Sequence, residues 1–157
     1  QAKGYSYGYH SSIDWHHTNS TLIAGGSVHT EVTKEAVAET LQEFTDLRGD
    51  RPLTHEEFTT AKAGLLRGLP SSFETSGQIL HHLNQIALFD LPDSYYSTLS
   101  SKLEALSIQE IHRVAANHLD SQALTVLIVG NRQQIQPHLE DLGLPLIIID
   151  HTGKQVT

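Results

Sequence analysis

The chain contains no cysteine and no methionine. Without thiols it has no disulfide framework, no thiolate metal site and no cysteine nucleophile. Without even an initiator methionine, it is expected to be a piece of a longer polypeptide. Basic residues are scarce: 10 Lys and Arg face 18 Asp and Glu, a formal charge of −8. Nucleic-acid binding needs clustered cations that displace counterions from phosphate, and an anionic bilayer needs the same. Neither nucleic acid nor a membrane is an expected partner. No apolar run approaches the about 20 residues that span a bilayer, and no signal peptide is visible. The longest apolar segments, Ala123–Val129 and Leu144–Ile149, have strand length. No linker, repeat or low-complexity tract interrupts the sequence, so residues 1–157 are expected to form a single domain.

What is present reads as α+β. Tyr5, Tyr7 and Tyr9 alternate with small or polar residues, the period of a half-buried strand. A polar connection, Trp15–Asn19, leads to a second strand over about 20–28, and the two suggest a hairpin. Gly25 and Gly26 mark a bulge or a close backbone approach. Thr33 can cap a helix carrying Val37, Leu41, Phe44 and Leu47, with Gly49 at its end. Thr54 and Glu57 form a capping box ahead of Phe58, Ala61 and Leu65. A helix over about 75–88 is expected to bury Ile79, Leu83 and Ile86. Another carries Tyr95, Tyr96, Leu99 and Leu103. Ser107 and Glu110 form a second box ahead of the stripe Ile108, Ile111, Val114, Ala115 and Leu119. Leu124–Val129 fits a central strand. A short helix (Ile135, Leu139, Leu142) stops at Gly143, and Leu146–Ile149 closes the chain as a last strand. Strands grouped apart from helices predict a mixed, largely antiparallel sheet with helices on one face.

Chemistry-bearing spacings are few. There are eleven histidines, but His16-His17 and His81-His82 are adjacent, and neighbours on a helix point about 100° apart. Neither H-E-x-x-H nor H-x-x-E-H occurs, and His112 and His118 are poorly spaced for one helix face. No metal site is expected from these residues. There is no G-x-S-x-G elbow and no phosphate loop; Gly25-Gly26-Ser27 is structural. The three N-terminal tyrosines share one strand face. They either pack there or line a wall whose hydroxyls donate to a developing oxyanion.

A series of short motifs adds a resemblance. Lys3-Gly4-Tyr5-Ser6-Tyr7-Gly8 resembles the segment that opens the second half of the C-terminal domain in pitrilysin/insulinase-like zinc peptidases, a group that includes processing peptidases. In order along the chain, further segments are similar to that family. They are Leu53-Thr54-His55-Glu56-Glu57 with Ala61-Lys62, Phe73-Glu74-Thr75, Leu91-Pro92-Asp93-Ser94-Tyr95-Tyr96, Ala105 to Ile111, and Leu119-Asp120 with Leu124 to Asn131.

The resemblance implies a metallopeptidase-like two-layer half-domain, truncated on its N-terminal side. Family members pair two such halves into a clamshell. The zinc and its H-x-x-E-H motif belong to the other half, so this chain alone is expected to hold no cofactor and to be inactive, with zinc in the intact enzyme. Its partners would be that zinc-bearing half or a partner subunit, and a peptide substrate. By position Tyr7 matches the family's substrate-touching tyrosine, and Gly4 belongs to the same substrate-binding segment. The matching arginine would lie one residue before Gln1. The resemblance implies a substrate-binding, chamber-closing part of a zinc-dependent endopeptidase acting on peptides or unfolded segments. The alternative is a non-catalytic scaffold or partner subunit that has lost peptidase activity. It also leans toward a bacterial periplasm or cell envelope. A truncated half would leave a sheet edge and apolar surface uncovered, so the isolated chain is expected to form a homodimer.

Overall fold

Two short strands, β1 (His10–Asp14) and β2 (Thr21–Gly25), pair antiparallel with Ser12 opposite Ile23 and His10 opposite Gly25. They come from a computed structural model that describes residues 4–156. The class is α+β: among the described residues there are six α-helices and this one two-stranded sheet. The chain divides into two compact units. One takes in the described residues of Gln1–Glu43 and Ser121–Thr157, the other Phe44–Asp120.

In the first unit the hairpin leads through a 3-10 turn, Thr30–Val32, into α1 (Thr33–Thr45), which runs on into the second unit. Thr33 is the first helical residue, not the cap, and its hydroxyl donates to the Thr30 carbonyl at 2.9 Å. The last helix, labelled α6 (Arg132–Glu140), is capped by Asn131, whose side-chain oxygen accepts from the Gln133 N–H. A turn after Glu140 reaches Gly143, where φ of +68° favours a residue without Cβ. This helix packs on the 30–32 turn, and Lys34 donates to Asp141 at 2.9 Å. Ile135 and Leu139 are the buried hydrophobic residues among those described, and Thr33 is the buried polar one.

The second unit holds α2 (His55–Gly68), α3 (Ser76–Leu88), α4 (Tyr95–Ala105) and α5 (Ile108–His118). A π turn, Asp46–Asp50, follows α1 around Gly49 and packs on α5. Capping boxes start α2 (Thr54, Glu57), α3 (Thr75, Gln78) and α5 (Ser107, Glu110), each with both reciprocal bonds in place. Lys62 donates to the carbonyls of Glu104 and Leu106, closing the C-terminal end of α4 with a cation where the helix dipole is negative. Beyond α3, Asp90 adopts φ of +50° while the Leu91 N–H bonds the Ile86 carbonyl, a left-handed helix stop that Asp tolerates.

The strands differ from the sequence pattern. β1 begins after Tyr9, so the tyrosine alternation precedes the strand. Leu124–Val129, expected as a central strand, forms none, and Leu146–Ile149 contributes only an isolated bridge between Ile149 and Gln155. The expected larger sheet with helices on one face is therefore a two-stranded sheet among the described residues. Apolar composition fits a segment for a strand, but a strand exists only where a second backbone accepts and donates its hydrogen bonds. Helix faces differ as well. In α2 the half-buried residues are Phe58, Lys62, Ala63 and Leu66, while Leu65 is exposed. In α3 they are His82, Gln85 and Ile86, while Ile79 and Leu83 are exposed.

Candidate functional site

The segment that carries Tyr7 is pinned to the hairpin on both sides. Before it, Ser6 bridges Val28, and the Tyr5 carbonyl accepts from the His29 N–H at 3.0 Å. After it, His10 pairs with Gly25. Between these points residues 7–9 run opposite residues 26 and 27, one residue in excess, which is the count of a β-bulge. The close approach expected at the glycine pair falls on Gly26. A Cβ there would collide with the Gly8 carbonyl oxygen and lie 3.1 Å from the Tyr9 Cα.

A bulge re-aims the side chains around it, and here it separates the three tyrosines. Tyr5 is half-buried. Tyr9 donates or accepts one hydrogen bond with the Thr40 hydroxyl of α1, at 2.8 Å. Tyr7 stands free, with a relative exposure of 108 %. Packing therefore does not explain Tyr7, and the three phenols do not form one wall. What the arrangement supplies is a single hydroxyl donor on a held backbone, open to an incoming chain. Gly4 precedes it at φ of +70°, with open space around it. Its missing side chain permits the turn and leaves the backbone approachable. Lys3, the first residue of the matching motif, lies outside the described residues.

A second cluster has the residue types of a nucleophile and base, but the wrong proton arrangement. His82 on α3 stacks on Phe73 (4.2 Å between ring centres) and lies 4.4 Å from the Tyr96 ring. Its Nε2 is 3.0 Å from the Ser72 carbonyl oxygen and 3.1 Å from Ser72 Oγ. A carbonyl only accepts, so Nε2 carries the proton and cannot take one from the serine. Ser72 Oγ donates instead to the Leu69 carbonyl at 2.8 Å. His82 Nδ1 is shut from solvent with no hydrogen-bond partner, so no carboxylate orients the ring as a catalytic triad requires. The pair ties the 70–73 turn to α3. Burial, and then the neighbouring Tyr95, push the Tyr96 phenol above its ordinary value, away from any role as a base. His112 is structural in the same way, with Nε2 2.8 Å from the Leu53 carbonyl oxygen.

In the first unit, His29, Glu31 and His138 line an open depression of about 700 Å³ together with Thr30 and Gln134. The histidines and glutamate do not converge there: among the described residues no three His, Asp or Glu side chains form a group able to hold a metal ion. The donors among the described residues thus do not fit a zinc ion. No helix of the described residues is long and apolar enough to cross a membrane.

No sequence model of a protein family matches this chain, and no curated protein matches it. The likeness to the pitrilysin/insulinase peptidases rests on the ordered motifs of the sequence. Several of those motifs have a local physical role. The segments at Thr54, Thr75 and Ser107 are helix caps, and Lys62 of the first closes α4. The Ser72–His82 pair was not legible beforehand, because its members come from a turn and a helix whose facing direction periodicity does not fix.

Proposed function

We propose that this chain is the substrate-binding, chamber-closing part of a zinc-dependent endopeptidase of the pitrilysin/insulinase kind, with Tyr7 as the residue that touches the peptide. The observation that supports this most is the fully exposed Tyr7 phenol on a backbone fixed at Ser6–Val28 and His10–Gly25. A residue kept for packing would be covered. A residue kept for a ligand is presented, and its backbone is held so that the hydroxyl does not wander.

In this reading the Tyr7 O–H donates to the carbonyl oxygen of the peptide bond under attack. The hydrogen bond strengthens as that oxygen gains negative charge, so it stabilises the transition state more than the bound substrate. Gly4 gives an extended peptide room to lie against the preceding backbone. The zinc belongs to the other half of the enzyme, as does the water it activates, and no step assigned to this chain passes through the metal.

The test is Tyr7→Phe in the complete enzyme. Removing one oxyanion donor costs on the order of 10²-fold in kcat. The variant should show a fall of that order, while zinc content by elemental mass spectrometry stays at the wild-type ratio. Unchanged turnover would remove Tyr7 from the chemistry and leave the scaffold role as the better account of the chain.

A further inference from the structure

We propose that the hydrogen bond between Tyr9 and Thr40 holds Tyr7 in place for the peptide, which makes Tyr9 and Thr40 positioning residues, an assignment that rests on the role given to Tyr7 above. Tyr7 and Tyr9 are the same residue type two positions apart, yet the chain uses them in opposite ways. Tyr7 is fully exposed, whereas the Tyr9 hydroxyl lies 2.8 Å from Thr40 Oγ1 on α1.

The direction of that bond follows from a second one. Thr40 Oγ1 also lies 2.7 Å from the Ala36 carbonyl oxygen, one turn back along the helix. A carbonyl only accepts and a threonine hydroxyl has one proton, so Thr40 donates to Ala36. The proton between Tyr9 and Thr40 is therefore that of Tyr9. The two bonds form a directed chain, from the Tyr9 O–H through the Thr40 hydroxyl to the helix backbone, and each strengthens the other by polarising it. The far end is anchored as well. The first residue of α1, Thr33, is buried, and Lys34 beside it donates to Asp141.

Tyr7 sits where the backbone ladder is interrupted. Ser6 bridges Val28 and His10 pairs with Gly25, and the residues between them outnumber those opposite. A bulge leaves its surplus residue out of the ladder, so backbone pairing alone does not fix this stretch. Gly8 has no side chain to tie down, and that of Tyr7 is turned to solvent. Tyr9 supplies the constraint. Its ring lies over Gly26, where an added Cβ would come within 3.1 Å of Tyr9 Cδ2, and its hydroxyl reaches on to α1. Only Gly8 separates Tyr9 from Tyr7, so whatever fixes residue 9 limits where the Tyr7 phenol can go. The limit matters to an oxyanion donor, because a misplacement of about 1 Å can cost on the order of 10²-fold in rate.

The test is a double-mutant cycle in the complete enzyme. Tyr9→Phe keeps the ring over Gly26 and removes only the hydroxyl. Thr40→Val removes the acceptor with little change of shape, and serves the same cycle if Tyr9→Phe does not fold. Each should lower kcat by about tenfold with KM unchanged, while Thr40→Ser, which keeps the hydroxyl, should stay near wild type. Added to Tyr7→Phe, Tyr9→Phe should lower kcat no further, because the donor that it positions is already gone. A merely structural loss would lower kcat by the same factor in both backgrounds. If Tyr7→Phe slows turnover but Tyr9→Phe and Thr40→Val do not, or if their effects multiply with that of Tyr7→Phe, Tyr9 and Thr40 are not positioning residues and the role of Tyr7 stands. If Tyr7→Phe is silent, that role falls and the positioning role falls with it.

Discussion

Adjacent glycines do different work in the hairpin. Gly25 ends β2 with nothing near the position a Cβ would take, whereas Gly26 lies under the Gly8 carbonyl. Gly25→Ala should change stability by no more than about 0.5 kcal/mol. Gly26→Ala should cost about 1–3 kcal/mol, because backbone has to move to admit the methyl group. Urea denaturation of the two variants separates them, and equal stabilities would mean that the close approach at the bulge is not maintained in solution. The tyrosine alternation was visible in the sequence, but the surplus residue that sets Tyr7 apart from Tyr5 and Tyr9 was not. A bulge depends on how two strands register, and the sequence of one strand does not carry that. The glycine pair was the single local signal, and it pointed to the right place.

Three of the helices begin at capping boxes, and the chemistry of the boxes divides them. The boxes at α2 and α5 use Glu57 and Glu110, whose carboxyls are held below the ordinary range. The first cause in each case is the backbone N–H of the cap residue, Thr54 or Ser107, and the second its hydroxyl. The box at α3 uses Gln78, which does not titrate. A carboxyl lowered in the folded state adds stability above its unfolded pKa. That contribution fades as pH falls from the ordinary value of 4.5 through the lowered one. Amide exchange in the first turns of α2 and α5 should therefore accelerate, relative to α3, as pH drops below 4.5. Thr75→Ala should cost about 1 kcal/mol with no such dependence on pH. Equal acid sensitivity in all three helices would mean that the carboxylate caps do not govern fraying. Element positions were largely legible, because caps and stops such as Thr54, Ser107, Gly143 and the Asp90 turn act within a few residues. Which face of α2 or α3 turns inward was not. Leu65, Ile79 and Leu83 have the right spacing, yet Lys62 reaching for α4 and His82 stacking on Phe73 set the rotation instead.

At the scale of the molecule, burial is thin. Exposed side chains include Trp15, Leu65, Leu83, Leu127, Val129 and Ile147. Unfolding a 157-residue protein with an ordinary core raises the heat capacity by about 2 kcal/mol/K. Calorimetry should give a clearly smaller change, and the full value would show a larger buried core. The α+β class was legible in the grouping of strand-like and helix-like segments, whereas the number of strands was not, because pairing is a property of two segments at once. The order of the chain also bears on how it is made. The unit bearing Tyr7 is assembled from residues on both sides of Phe44–Asp120, and its buried hydrophobic side chains, Ile135 and Leu139, come from the late segment. As the polypeptide emerges from the ribosome, the helical insert can fold while still tethered, because its contacts are local. Lys34 and the 30–32 turn have to wait, for neither Asp141 nor the helix that packs on that turn has yet been synthesised. Translation thus imposes a sequence of events on this protein: the middle can mature before the 30–32 turn gains the helix that packs on it.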